Sequence, residues 1–446
     1  MELPYSSVCK GGHLLFSPVE NGVENRTACQ KGQGYFSDDV AATFGLPENG
    51  RFMACKIVVY LPLKFHLTAG WVEQMALCAL CNVEITEEND SREHIIPNSI
   101  GGRKKVKGFI CNPCNNTTGG QWDTELAKQL NPLSLIFHIQ RERGEPPSQT
   151  FEATNGEKLT LHHRGGMSPS KPEFKEEVRD DKTAISIIAR DTEEAKRMLK
   201  GVKKKYPLTD TDKILSDAKV ESRYLDGMLK MSLEFGGPEA GRSAVKTVLA
   251  LASQFGIASD TCEHAIAYLR HDGEPCFGYY YERDLVVNRP LSVPLHCVAI
   301  SGDPETGLLL GYLEYYGVQK IVSCLSEKYS GAKITASYSV DPTTGVEQEV
   351  DVDISLSMGD IAAAYNYEKY DSNLVINCFH QVMPRAMEAS FNRERDRVIS
   401  DAVDFAFKNC GAEEGQILSE EHVRVLSGKF VEKITPYILS QIKRNK

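Results

Sequence analysis

Two cysteine pairs constrain this chain more than any other feature. Cys78-Ala79-Leu80-Cys81 is one C-x-x-C, and Cys111-Asn112-Pro113-Cys114 is another. Each C-x-x-C turn lets two sulfurs converge on one ion, and four thiolates satisfy a closed tetrahedral Zn²⁺ site. With every position filled by sulfur, such a zinc is structural and holds together a segment too short to bury its own core. The opposing reading is two unrelated pairs of buried thiols; one C-x-x-C leaves it open, while two pairs argue against it.

The other cysteines of the 13 show no such order. Cys9, His13, Cys29 and Cys55 invite a second metal site, but their spacings match no common pattern and buried thiols are the better reading. Cys262, Cys276, Cys297, Cys324, Cys378 and Cys410 mostly sit in apolar stretches and read as core. An odd count with irregular spacing does not describe a secreted disulfide framework. The first residues lack a basic stretch followed by an unbroken apolar one. No run approaches the roughly 18 apolar residues that span a bilayer. The expectation is a soluble, cytoplasmic protein of a reducing compartment, with no membrane partner.

A chain of 446 residues exceeds one ordinary domain. Residues 1–75 are rich in glycine and short apolar bursts and read as a small β-rich region, with a strand at 56–67. Residues 76–145 carry the cysteine pairs and end near Pro146-Pro147. Residues 146–378 read as an α+β body. There, 184–189 forms a strand, Asp191 caps the next helix, and Pro238 opens another that Gly256 ends. Strands at 293–300, 308–316, 321–325 and 334–340, followed by the alternating run VEQEVDVDISLS at 346–357, predict an antiparallel sheet. Residues 379–446 read as C-terminal helices, at 383–408 and 419–444, with apolar faces that suit the body or a second copy.

The formal net charge is −10, so any nucleic-acid site must be local. A local candidate exists. Between the cysteine pairs lie Glu93-His94-Ile95-Ile96-Pro97, then Gly101-Gly102 and the basic run of Arg103, Lys104, Lys105 and Lys107. Asn115 follows the last cysteine directly.

Over residues 76–130 this pattern resembles the HNH (ββα-metal) endonucleases, and most closely the subgroup of phage recombination endonuclease VII. The shared features are the cysteine pairs, an acid-His pair, a basic stretch and C-N-x-C-N, here Cys111 to Asn115. The resemblance implies that His94 lies on a strand of a hairpin and that a helix begins near Cys111. It further implies that Glu93, His94 and Asn115 face one point. Glu93 and Asn115 would hold a catalytic Mg²⁺ or Mn²⁺ while His94 activates water. Oxygen donors suit such hard ions, and a near-neutral histidine suits a general base. Arg103, Lys104, Lys105 and Lys107 would contact phosphates. Two departures appear: the acid is Glu93 where Asp is usual, and Thr118 stands where the subgroup carries a further acid. The roles of Trp122 and Asp123 are open.

Blander readings stand beside these. His94 alone reads as a structural histidine, Asn115 alone as a helix cap, and the basic run alone as a solvated loop. His162 and His163 would point to opposite faces of a strand, which argues against a shared ligand role. The run from Phe277 to Tyr281 suits strand packing better than base stacking. No Walker loop, G-x-S-x-G or dinucleotide fingerprint is present.

The fold class expected is α+β, with a zinc-bound HNH module inserted between the N-terminal region and the large body. The function expected is metal-dependent hydrolysis of DNA phosphodiesters, with RNA left open. It would suit a bacterial or phage defence or restriction effector, regulated by its body or paired as a homo-oligomer. The alternative is a non-catalytic zinc-ribbon module that binds nucleic acid or protein.

Overall fold

The computed structural model describes residues 13–15 and 76–444, apart from 164, 180–181, 220–223 and 226–227. The expected strand at 56–67, the rest of the N-terminal region, and Cys9, Cys29 and Cys55 lie outside the described residues. His13 belongs to strand β1 (His13–Leu15).

The cysteine-bearing segment is built from short pieces. Strands β2 (Glu93–His94) and β3 (Lys105–Val106) pair antiparallel, Glu93 opposite Val106 and His94 opposite Lys105. The loop between them requires both glycines. Gly101 has φ +99°, and a Cβ on Gly102 would lie 1.8 Å from the Ile96 carbonyl oxygen. Helix α1 (Asn112–Thr118) begins directly after Cys111, with Pro113 in its first turn, where a missing N–H costs no helix bond. Residues Gly119–Asp123 continue as a π-helical turn into α2 (Thr124–Ile136). Such turns recur at functional sites.

Beyond the Pro146-Pro147 loop come β4 (Gln149–Ala153), β5 (Lys158–Leu161) and β6 (Met167–Pro169). Next are the hairpin β7 (Glu173–Arg179) and β8 (Lys182–Ile188), then α3 (Thr192–Lys205), α4 (Thr211–Ser216) and β9 (Leu229–Ser232). Strand β9 joins β1 to β4, giving a sheet ordered β1-β9-β4-β5-β6. Asp191 caps α3 as expected, accepting from the Glu194 N–H.

Helix α5 (Pro238–Gln254) is central. Every residue from Ser243 to Ala252 is buried, as befits a helix covered on all sides. One face packs on α2 and the π turn. Another packs on a sheet whose long central strands are β11 (His296–Asp303), β12 (Leu308–Tyr315), β13 (Gln319–Ser326) and β14 (Ile334–Asp341). Between α5 and that sheet in sequence come α6 (Glu263–Leu269) and strand β10 (Phe277–Tyr279). With β15 (Val346–Glu347) the sheet is antiparallel, ordered β10-β13-β12-β11-β14-β15. Helices α7 (Met358–Tyr365), α8 (Ser372–Lys408) and α9 (Glu420–Arg444) complete the mixed α+β chain.

One hydrophobic cluster runs from Cys78, Ile95 and Phe109 through Leu126 and Val248 to Phe379 and Met383. The cysteine-bearing segment therefore shares its core with the body. Polar ties reinforce this. Arg270 Nη2 donates to the Ala79 carbonyl at 2.8 Å, and Ser134 Oγ lies 2.8 Å from Tyr316 Oη.

Three expectations are adjusted. Of 346–357 only Val346–Glu347 is a strand. Val350, Val352, Ile354 and Leu356 are buried in alternation, but the segment bonds to irregular backbone around Leu285 and Val287. The helix expected at 383–408 begins at Ser372, where Asp371 supplies a cap. His162 lies beyond the end of β5 and bonds Ser148 and Ser168. Tyr279, Tyr280 and Tyr281 are buried, and the six cysteines read as core are buried too. No described helix is long and apolar enough to cross a membrane.

Candidate active site

The four cysteines converge. The sulfurs of Cys78, Cys81, Cys111 and Cys114 all lie within 4.8 Å of one another, with Cys81 Sγ to Cys111 Sγ at 3.7 Å. Tetrahedral zinc with Zn–S near 2.3 Å places sulfurs about 3.8 Å apart, so the cluster fits that ion. Burial alone would raise the Cys78 thiol, but backbone N–H groups of Cys111, Cys81 and Leu80 outweigh it and bring its pKa to about 7. Burial raises Cys111 and Cys114; neighbouring sulfurs add to the rise at Cys114, while at Cys111 the Cys114 N–H and thiol partly oppose it. A bound cation reverses that preference, since a coordinating thiol is deprotonated outright.

Adjacent residues of a strand project to opposite faces, and this separates Glu93 from His94. Glu93 faces inward and is 5% exposed. Its Oε1 lies 2.7 Å from Nζ of Lys246, which is 1% exposed on α5. The same ammonium is 2.6 Å from Asp123 Oδ2 at the end of the π turn, and Ser243 Oγ donates to Asp123 Oδ1 at 2.6 Å. Burial by itself would lower the Lys246 pKa, yet the Asp123 and Glu93 carboxylates outweigh it and the net direction is upward. A cation therefore sits between the two acids, and it is a lysine.

His94 points the other way, half-buried, with Nε2 3.0 Å from Glu142 Oε2. Lys105, opposite His94 in the hairpin, holds the same carboxylate oxygen at 2.7 Å. These two contacts bring the Glu142 pKa to about 2. Burial lowers His94 below 6.5, Lys105 adds to this, and the pull of Glu142 does not restore it. His94 is thus neutral at pH 7. An ionised carboxylate only accepts, so Nε2 carries the proton and Nδ1 keeps its lone pair.

Asn115 is half-buried in the second turn of α1. Among the described residues no hydrogen bond joins its side chain to Glu93 or His94, so the three side chains are not seen to meet at one point. Thr118 is buried and donates to the Asn115 carbonyl at 3.3 Å. Of the basic run, Arg103 donates to the Gln140 carbonyl at 3.0 Å, and Lys104 lies over the Tyr338 ring at 5.0 Å. Lys104 pairs with Glu347 and Lys105 with Glu142, whereas Lys107 is exposed and, like Arg103, has no ion pair among the described residues.

Sequence reasoning missed Lys246, Ser243 and Glu142. A lysine inside the otherwise apolar run of α5 is a signal that could have found Lys246. Glu142 left no local signal, because its partner lies 48 residues away.

Comparison with known proteins agrees with the segment singled out. No curated protein and no solved structure matches the chain. Residues 78–131, which carry the four cysteines, Glu93, His94, Asn115 and Asp123, match the HNH endonuclease family.

Proposed function

We propose that this chain is an HNH nuclease, nearest in pattern to the endonuclease VII subgroup. It hydrolyses phosphodiester bonds in DNA, leaving 3′-hydroxyl and 5′-phosphate ends, with RNA an open substrate. The observation that supports this most is the His94–Glu142 contact on a strand next to the four-cysteine cluster.

In this reading Glu142 orients the imidazole and fixes its tautomer. His94 Nδ1 accepts the proton of the attacking water as its oxygen bonds to phosphorus; the bond to the 3′ oxygen breaks, and that oxygen takes a proton from solvent. Lys107, and Lys105 when it leaves Glu142 for substrate, neutralise phosphate charge beside the strand. Arg103 and Lys104, tied to Gln140 and Tyr338, hold the loop that presents them. The cysteines hold structural Zn²⁺ and keep the strand pair against α1.

The expected Mg²⁺ or Mn²⁺ was assigned to Glu93 and Asn115. As placed, these do not fit a divalent ion, because the position a cation would take beside Glu93 is held by the Lys246 ammonium, shared with Asp123. No step here is routed through such an ion. The same pairing favours a second reading, in which the segment is a non-catalytic zinc ribbon that binds nucleic acid or protein. Cleavage by the full chain, compared with His94→Ala, separates the two. Roles as a cytoplasmic defence or restriction effector and as a homo-oligomer belong to the same proposal.

A further inference from the structure

A cavity of about 400 Å³ opens where the end of α2, the turn after β5, the turn after β14 and the middle of α8 come together. We propose that it binds a phosphate-bearing ligand of nucleotide size. Its polar lining is His138, Gln140, His163, Thr343, Arg385 and Arg393. Its volume lies in the range of small-molecule sites and leaves room for the group that carries the phosphate.

The lining carries two guanidinium groups, one of them without a counter-charge among the described residues. Arg385 and Arg393 are spaced to project from one face of α8, and Ala386 and Ala389 between them keep the space open. Asp341 Oδ2, 3.6 Å from Arg385, offsets one charge, and that acid is already engaged by the Thr343 hydroxyl and N–H. Among the described residues no carboxylate pairs with Arg393. Its Nε and Nη2 are buried with no hydrogen-bond partner. Burial lowers its pKa, with no carboxylate to oppose it. Burial also brings His138 to about 4, with Arg393 and His163 adding to the effect. Buried guanidinium N–H groups without acceptors are costly, and their persistence points to a missing acceptor. A phosphate supplies several acceptors at once and matches the guanidinium fork. Backbone from His138 through Gln140 leads directly to Glu142, the partner of His94, so a ligand here bears on the orientation of that histidine.

This inference stands apart from the nuclease reading, and its test reads binding rather than cutting. Thermal unfolding of the full chain is followed with inorganic phosphate, ATP and a 5′-phosphorylated oligonucleotide, against sodium chloride at matched ionic strength. The wild-type midpoint is expected to rise with at least one phosphate probe and not with chloride. A preference for ATP identifies a free nucleotide; a preference for the oligonucleotide identifies a strand phosphate. Arg393→Gln is expected to weaken binding at least ten-fold while its ligand-free midpoint equals or exceeds that of wild type. Ala389→Phe, which fills the cavity and keeps both arginines, is expected to abolish the shift. No shift of wild type by any phosphate probe, or unchanged shifts in both variants, overturns the proposal.

Discussion

The ammonium of Lys246 lies 2.7 Å from Oε1 of Glu93, 153 residues away in sequence, and both side chains are buried. Asp123 closes the cluster from the other side at 2.6 Å. Two carboxylates are thus drawn to one point inside the core by a cation the chain supplies itself. Removing one partner of such a buried set leaves uncompensated charge.

Lys246→Met is therefore expected to destabilise the protein by about 3–5 kcal/mol. Urea denaturation at pH 7 measures this. A variant within about 1 kcal/mol of wild type would show the pairing to be marginal.

The same cluster makes a prediction about metals. Lys246→Ala leaves two carboxylates around a vacated cation position, a donor set suited to a hard divalent ion. Mn²⁺ titration followed by electron paramagnetic resonance is expected to show a site in Lys246→Ala that Glu93→Gln removes and that wild type lacks. Equal Mn²⁺ binding at Glu93 in wild type would show that Lys246 yields to the ion.

Zinc should behave as part of the shared core. The purified chain is expected to carry a single tightly held zinc that Cys114→Ser loses. Because Cys78 and Phe109 belong to the same cluster as Val248 and Met383, chelation is expected to lower the midpoint of the whole cooperative transition. Near-ultraviolet dichroism reads it. Loss of zinc with an unchanged midpoint would contradict the shared core.

His296 predicts an acid limb of stability. Its Nε2 donates to the Ile100 carbonyl at 2.8 Å, and its Nδ1 accepts from the Tyr316 N–H at 3.0 Å. Burial brings its pKa down to about 4. The unfolded chain, with a histidine near pKa 6.5, then binds more protons than the folded one. This contribution is fully present above about pH 6.5 and is lost as pH falls through 4, on the order of 3 kcal/mol in total. His296→Gln should flatten that limb in denaturation curves taken from pH 7 to pH 4; an unchanged slope would place the titration elsewhere.

Much of the architecture was legible because it is local. The C-x-x-C spacing gave the sulfur cluster, Asp191 and Pro238 marked helix starts that the structure shares, and the helix start near Cys111 came from the family resemblance. Alternation at Val350, Val352, Ile354 and Leu356 reported burial correctly but not a ladder, since its hydrogen-bond partner is irregular backbone. The candidate site was legible only in part. Which residues neutralise Glu93 and orient His94 depends on α5 and the loop after α2 folding against the hairpin, and no local pattern encodes such distant pairings. An acid-His pair also looks like one unit in sequence, whereas a strand turns its two members to opposite faces.

Glu142 should matter to turnover through His94. A hydrogen bond to a charged group contributes about 1.5–3 kcal/mol, so Glu142→Gln is expected to slow cleavage roughly ten- to hundred-fold. Single-turnover rates on a nicked-plasmid assay check this. A rate equal to wild type would remove Glu142 from the mechanism.

The central claim is that His94 serves phosphodiester hydrolysis. The direct measurement is plasmid nicking by the full chain with Mg²⁺ or Mn²⁺ supplied, wild type against His94→Ala, on supercoiled, linear and single-stranded DNA. The expected result is nicking by wild type and a rate about 10²–10⁴-fold lower in the variant, with zinc content unchanged. Equal background nicking by both proteins on every DNA form would contradict it and leave the zinc-ribbon binding module as the better account.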